Sequence, residues 1–271
     1  MDEKIKIELG NVQKTLFLPL WGRAQESLKK KPMLVDETAV RIMDQIDYDF
    51  SSIAQNMDDL SQIAWIKRSL FCDKVCMEFL LRYPAGTIVN IGCGLDTTFE
   101  RVDNGLLTWY DLDLPDVIDL RAQFITESDR RKFIAASLSD EGWLDTIKVN
   151  GNVLFIAAGV FYYFDESTVR ALFLRLLDKL PKSEILFDVS SPTGVRVANK
   201  KVVESSGLDK KSHLIWGLEN IEDLLAWDPR IHLIKTHFYF KSKVRGLRNK
   251  IMGMLSDSLK IQYMVHLRLG K

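Results

Sequence analysis

The sequence predicts an α/β fold: a doubly wound, mostly parallel seven-stranded sheet with a helical N-terminal cap. Three observations predict it. From residue 85 onward, short apolar runs alternate with helical patterns, as strands covered on both faces require. At Pro84 the hydrophobic spacing changes from three and four residues to a β-branched run. That run stops at Gly92 and Gly94, a pair suited to a tight strand-to-helix turn.

The elements follow in order. From Val12 to Tyr83 the pattern is helical. Leu60, Ile63, Ala64, Leu70, Phe71, Val75, Phe79 and Leu80 form one apolar stripe, which the proline at 84 ends. Thr87 to Ile91 is the first strand of the sheet. Leu106 to Leu112 reads as a strand, Asp116 to Thr126 as a helix and Lys132 to Ala136 as a strand. Asn152 to Ala157 is a continuous apolar strand, Glu166 to Leu180 an amphipathic helix and Glu184 to Val189 a strand. Ile231 to Phe240 and Lys260 to Arg268 read as two strands with a helix between them, completing the far edge.

Length and composition bound this reading. The chain has 271 residues, 46% of them hydrophobic and 27% charged, an ordinary globular composition. Length alone allows one or two domains. The motifs favour one structural unit, with residues 1–84 as the cap and 85–271 as the core. Lys and Arg number 37, as do Asp and Glu, so no net charge is available for broad binding to nucleic acid or anionic membrane. The basic clusters Lys29-Lys30-Lys31, Lys200-Lys201 and Lys241 to Lys250 read as solvated faces. The N-terminus has no secretory pattern, and Val153 to Phe164 is too short to span a bilayer. Cys72, Cys76 and Cys93 form no Cys-x-x-Cys pair and read as buried thiols, with no metal site expected. A cytoplasmic protein is expected.

In an open parallel sheet, ligands bind beyond the carboxyl ends of the strands, where strand order reverses. Here that end reads Asn90-Ile91-Gly92-Cys93-Gly94-Leu95-Asp96-Thr97-Thr98. A dinucleotide fingerprint requires a third glycine where Thr97 stands, and no phosphate-loop lysine follows. Asp111 and Asp113 close the next strand about 20 residues beyond the glycines, the distance at which a carboxylate meets ribose hydroxyls. The pattern suits a nucleoside without a pyrophosphate, and S-adenosylmethionine is the common cofactor of that kind. The alternative is that the two aspartates only cap the helix near Asp116.

With these residues in view, the segment Asn90 to Phe99 resembles the N-L-G-A-G-x-D-T-T/R signature of the leucine carboxyl methyltransferase family, which includes bacterial O-methyltransferases of polyketide synthesis. Three further segments agree. Leu18 to Asp36 resembles the bacterial members' A-R-A-x-E-S…D opening. Asp111 to Pro115 resembles their acidic second-strand end, and Gly159 to Phe164 with Glu166 resembles their E-G-V-x-x-Y-L…E segment.

The resemblance, which spans roughly Leu16 to Phe240, implies a Rossmann-like methyltransferase core binding S-adenosylmethionine. It implies Gly92 and Gly94 against the methionine part, Asp113 on the ribose with Asp111 beside it, and Ser137 and Leu138 near the adenine. Arg68 falls where the family offers an arginine to the cofactor's carboxylate, a pairing that guanidinium geometry favours; the alternative is a surface arginine. Ala158 stands where the family usually has Glu, which implies an altered substrate, a cofactor held differently, or lost activity.

Methyl transfer requires alignment of the acceptor and exclusion of water, with a general base only for a hydroxyl acceptor. Tyr162 and Tyr163 border the expected reaction centre, and His213 precedes a segment suited to the acceptor pocket; core packing is the alternative for the tyrosines. His232 and His237 read as structural. Phe17, Trp21, Met57 and Trp216 read as either an apolar acceptor wall or plain core. The expected function is O-methylation of a hydroxyl or carboxylate on a small molecule. The competing readings are a nucleotide-sugar or NAD enzyme, a protein carboxyl methyltransferase, and a non-catalytic binding module.

Overall fold

The structure is a computed structural model that describes residues 4–6, 15–204, 212–241 and 244–270. In chain order it begins with β1 (Ile5–Lys6), α1 (Phe17–Ser27), α2 (Glu37–Gln45), β2 (Ile46–Asp47), α3 (Ser51–Asn56) and α4 (Asp59–Arg82). There follow β3 (Thr87–Ile91), α5 (Thr98–Val102), β4 (Thr108–Asp113), α6 (Pro115–Ala122), β5 (Arg131–Ala135), α7 (Trp143–Thr146) and β6 (Val153–Ala157). The chain then runs through a 3₁₀ turn (Phe161–Tyr163), α8 (Glu166–Lys179), β7 (Lys182–Val189), α9 (Pro192–Ala198) and a π turn (Asn199–Val203). It ends with α10 (Ile221–Leu225), β8 (Ile231–Phe238), α11 (Leu247–Ser258) and β9 (Tyr263–Gly270).

Seven strands form one sheet in the order β5-β4-β3-β6-β7-β9-β8. The first five are parallel, while β9 runs antiparallel between β7 and β8. Strand order reverses between β3 and β6, which sets the crevice at their carboxyl ends. The doubly wound reading is therefore correct. A separate parallel pair, β1 with β2, lies in the N-terminal part.

The two-residue period of the strands sorts their side chains into two cores. Val89, Phe155, Ala157, Ile185 and Phe187 face one way, toward Val169, Leu172, Phe173 and Leu176 of α8. Ile88, Trp109, Leu154, Ile156, Leu186 and Met264 face the other, toward Cys72, Val75, Cys76 and Phe79 of α4. The same period puts Asn90, Asp111 and Asp188 on the α4 side, where polar groups must find partners. Helix α4 is capped by Asp58, whose side chain accepts from Ser61 N. It stops at Arg82, before Pro84.

Boundaries differ from the sequence reading in explicable ways. β4 begins at Thr108 and not Leu106, because Asn104 Oδ1 accepts from both Leu106 N and Leu107 N and holds them in a turn. β8 ends at Phe238, and Tyr239 and Phe240 are buried beyond the sheet. β9 starts at Tyr263, after Lys260, which takes a left-handed backbone (φ 49°). Residues 12–14 of the expected helical stretch lie outside the described residues.

Candidate cofactor and acceptor site

One cavity of about 490 Å³ opens at the carboxyl ends of β3, β4 and β6, within the ~300–1,000 Å³ range of small-molecule sites. Its floor is the turn after β3. Gly92 has φ +64°, and a Cβ there would lie 2.4 Å from Val160 Cγ2; Gly94 has φ +46°. Both the backbone angle and the close approach of Val160 require glycine at position 92. Gly92 N and Cys93 N donate to Leu112 O, which ties the turn to the end of β4.

Asp113 stands at the same edge. Its Oδ2 accepts from Gly94 N (2.7 Å) and its Oδ1 from Leu114 N (2.8 Å). A carboxylate oxygen has further lone pairs, so each can also accept from a diol. Burial pushes the Asp113 carboxyl up, partly offset by those two backbone donors. Asp96 accepts from Asn90 Nδ2 and Thr98 N. Burial alone would raise its pKa, but Arg23 and Arg101 bring it down to about 2, so it stays anionic.

Asp111, expected beside the ribose, does not line the cavity. It is fully enclosed, and its Oδ2 accepts from Arg121 Nη2 (3.0 Å) and Arg131 Nε (2.8 Å), its Oδ1 from Trp109 Nε1 (2.8 Å). Asp111 and Asp113 are two residues apart and face the same way, but Asp111 lies deeper, under α6. Arg121 Nη1 in turn donates to Gly94 O, so this buried cluster braces the glycine turn from below. Ser137 and Leu138 do line the cavity, beyond β5, as does half-buried Ala158.

Arg68 is buried and lines the cavity from α4, so it is no surface residue. Its Nη1 donates to Asp188 Oδ2 (3.1 Å) and to the Tyr162 hydroxyl (3.4 Å). Burial alone would lower the guanidinium pKa; Asp188 reverses this, so the charge is retained. Asp188, at the end of β7, also accepts from Gly159 N (2.6 Å) and Gln262 Nε2 (2.7 Å). A Cβ on Gly159 would lie 2.7 Å from Arg68 Nη1, so the missing side chain makes room for the guanidinium.

The same cavity also holds the expected catalytic residues. Tyr162, Tyr163, His213, Leu214 and Ile215 all line the cavity. The Tyr162 carbonyl accepts from Ile215 N and Trp216 N, and the Asn199 side chain bonds both Leu214 N and Leu214 O. These bonds fix the segment carrying His213, whose Nε2 lies 3.6 Å from Glu204 Oε1. Burial pushes the Tyr162 and Tyr163 hydroxyls up, so both remain protonated. Phe17, Trp21 and Met57 pack in a separate core with Trp65, and Trp216 stacks on Trp227 within the main core. Phe17, Trp21, Met57 and Trp216 do not line the cavity.

Arg23, Trp65, Asp188 and Gln262 also line or brace the site, without having been singled out as site residues. Arg23 Nη2 donates to Leu95 O and its Nε to Asp36, and Thr97 hydroxyl and Arg101 also bond Asp36. Thr97, which occupies the third-glycine position, thus ties the turn to the N-terminal helices. Asp188 had a sequence signal, a single carboxylate in the apolar strand Ile185-Leu186-Phe187-Asp188-Val189; Gln262 had none.

The family pattern described as leucine carboxyl methyltransferase matches residues 17–177. The chain belongs to the leucine carboxyl methyltransferase family. As a member, it is an S-adenosylmethionine-dependent O-methyltransferase. It is 32% identical, over 93% of its length and 86% of the relative, to the tetracenomycin polyketide synthesis O-methyltransferase TcmP of Streptomyces glaucescens. It is 28% identical to the S-adenosyl-L-methionine-dependent methyltransferase dpfgK of Gibberella zeae, over 69% of this chain and 68% of the relative. The plantazolicin methyltransferase BpumL, solved with S-adenosylhomocysteine, shares the fold (TM-score 0.51, 14% identity, 97% of this chain and all of that one). The residues present fit the family's cofactor: a glycine floor closed to any Cβ at Gly92, a carboxyl group at Asp113 for a diol, and a permanent cation at Arg68 for a carboxylate.

Proposed function

We propose that this enzyme methylates a hydroxyl or carboxylate oxygen of a small, largely apolar molecule. The observation that carries the reading is the single cavity joining two sets of residues. Gly92, Gly94, Asp113 and Arg68 line it together with Tyr162, Tyr163, His213 and Leu214. When bound, S-adenosylmethionine supplies an electrophilic methyl group on a cationic sulfur.

In this reading Asp113 holds the ribose hydroxyls, Ser137 and Leu138 border the adenine, and Arg68 holds the methionine carboxylate. The protonated Tyr162 hydroxyl orients the acceptor oxygen. His213 accepts the proton of a hydroxyl acceptor; a carboxylate acceptor is already ionised and does not call on it. Positioning of this kind contributes about 7–11 kcal/mol to a two-body reaction. Ala158 leaves the end of β6 without a carboxylate, and Asp188 on the adjacent strand supplies the negative charge beside Arg68.

Residues 1–84 and 85–271 function as one unit in this account. Leu16, Leu18, Arg23, Trp65 and Arg68 from the first segment line the same cavity as the sheet residues. No described helix is long and apolar enough to cross a membrane, and we place the enzyme in the cytoplasm.

The test is transfer of isotopically labelled methyl from S-adenosylmethionine to a panel of hydroxylated and carboxylated aromatic and aliphatic metabolites. Labelling of one or more small molecules, reduced by His213→Gln only for hydroxyl acceptors, is expected. Labelling confined to a protein carboxylate would overturn the small-molecule assignment.

A further inference from the structure

Helix α11 is built inside out. A surface helix normally turns its apolar stripe to the core and its polar side chains to water. Here the inward positions are Asn249, Gly253, Ser256 and Asp257, small or polar residues. Gly253 is buried because Phe240 leaves no room for a side chain, with its Cβ 2.6 Å from where a glycine Cβ would stand. Asp257 is held by accepting from Phe240 N (3.0 Å). The outward positions are Leu247, Ile251, Met254 and Leu255, which are 75%, 52%, 56% and 52% exposed. Met252 and Leu259 widen the same strip. At 100° per residue these side chains span one continuous arc, so they form a patch and not scattered single residues.

The segment that carries the strip is strongly basic. Between residues 241 and 260 the sequence carries six Lys or Arg, and its one acid is the inward-facing Asp257. Lys241, Arg248 and Lys250 are exposed. Arg245 and Lys29 both contact Glu26, which brings the exposed Lys29-Lys30-Lys31 run to the same side. The sequence alone suggests a solvated basic face here. The structure adds the apolar strip within it, and that combination is costly in water without a partner.

We propose that α11 and its flanking cations form a docking surface for an anionic lipid bilayer. An apolar strip bordered by Lys and Arg suits the headgroup boundary, where side chains insert shallowly and cations meet lipid phosphates and carboxylates. A second copy of this chain fits poorly, because pairing two such faces would oppose like charges. The surface lies apart from the cavity: no α11 residue lines it.

The experiment is co-sedimentation of the full chain with phosphatidylcholine vesicles, with and without phosphatidylserine, at low and high salt. The expected result is partitioning onto phosphatidylserine vesicles that falls as salt screens the cations. Arg248→Glu/Lys250→Glu and Ile251→Gln/Leu255→Gln should each weaken it by about tenfold or more. Circular dichroism and S-adenosylhomocysteine binding, both expected to be unchanged, verify that the variants are folded. Equal partitioning onto both vesicle types, or none, overturns the proposal. A concentration-dependent dimer lost in Ile251→Gln/Leu255→Gln, without vesicle binding, overturns it in favour of self-association. Retention on an acidic protein surface with no lipid binding overturns it in favour of a protein partner.

Discussion

Removing either partner of the Arg68–Asp188 pair should cost more stability than removing both. Asp188 is fully enclosed and accepts three bonds, from Gly159 N, Arg68 Nη1 and Gln262 Nε2. Asp188→Leu leaves a buried guanidinium without its carboxylate, and Arg68→Met leaves a buried carboxylate without its cation. Breaking a buried pair this way costs about 3–5 kcal/mol, whereas replacing both members with apolar groups is often close to neutral. At roughly 2–4 °C per kcal/mol for a domain approaching this size, each single variant should lower Tm by about 6–20 °C. The double variant Arg68→Met/Asp188→Leu should recover at least ~2 kcal/mol relative to the sum of the singles. Urea unfolding of all four proteins measures the cycle. Single-variant losses below ~1 kcal/mol, or additivity within ~0.5 kcal/mol, would refute the claim that the two charges depend on each other.

Three further outcomes follow from the same geometry. Asp111→Asn should cost stability by about 3–5 kcal/mol in urea, since two buried guanidinium groups share that carboxylate, while the folded fraction still binds S-adenosylhomocysteine. Gly92→Ala should destabilise by about 1–2 kcal/mol from its left-handed backbone, plus ~1–3 kcal/mol from the collision with Val160. Val160→Ala in the same chain should recover only the second part, as thermal unfolding would show. His237 is buried, and that burial, with Lys235 and His266 nearby, holds its pKa down at about 4 against an ordinary 6.5. Its unfolded form therefore binds a proton first as pH falls, so His237 contributes stability above pH 6.5 that is lost between 6.5 and 4. His237→Phe should flatten the Tm profile in that window; an unchanged slope would assign the acid sensitivity to other groups.

Much of this was legible in the residues because strand and helix periods differ so clearly. The parallel strands are buried on both faces, so Val153 to Ala157 reads as one apolar run. The glycine turn and Asp113 were legible because they are local: a backbone angle and a strand end. What sequence could not resolve is depth. Asp111 and Asp113 share a face and a motif, yet one is sealed beneath α6 by Arg121 and Arg131 and the other reaches the cavity. Long-range partners were hidden for the same reason. Arg68 and Asp188 are 120 residues apart in sequence, and only the packing of α4 across β7 brings them together. The aromatic residues Phe17, Trp21 and Trp216 look alike in sequence whether they line a pocket or fill a core; the structure places them in cores. The outward apolar strip of α11 was invisible because its spacing is that of any amphipathic helix, and direction is not written in spacing.

The central claim is that the cavity over Gly92 and Gly94 holds S-adenosylmethionine through Asp113. Isothermal titration of S-adenosylhomocysteine into the wild-type chain and the Asp113→Ala variant tests it most directly. On the proposed ribose role of Asp113, the variant should bind at least about tenfold more weakly, since each hydrogen bond to a charged group is worth ~1.5–3 kcal/mol. Binding by the wild type with that loss in the variant is the predicted result. No heat with the wild type up to millimolar ligand, or equal affinity in the variant, would contradict it.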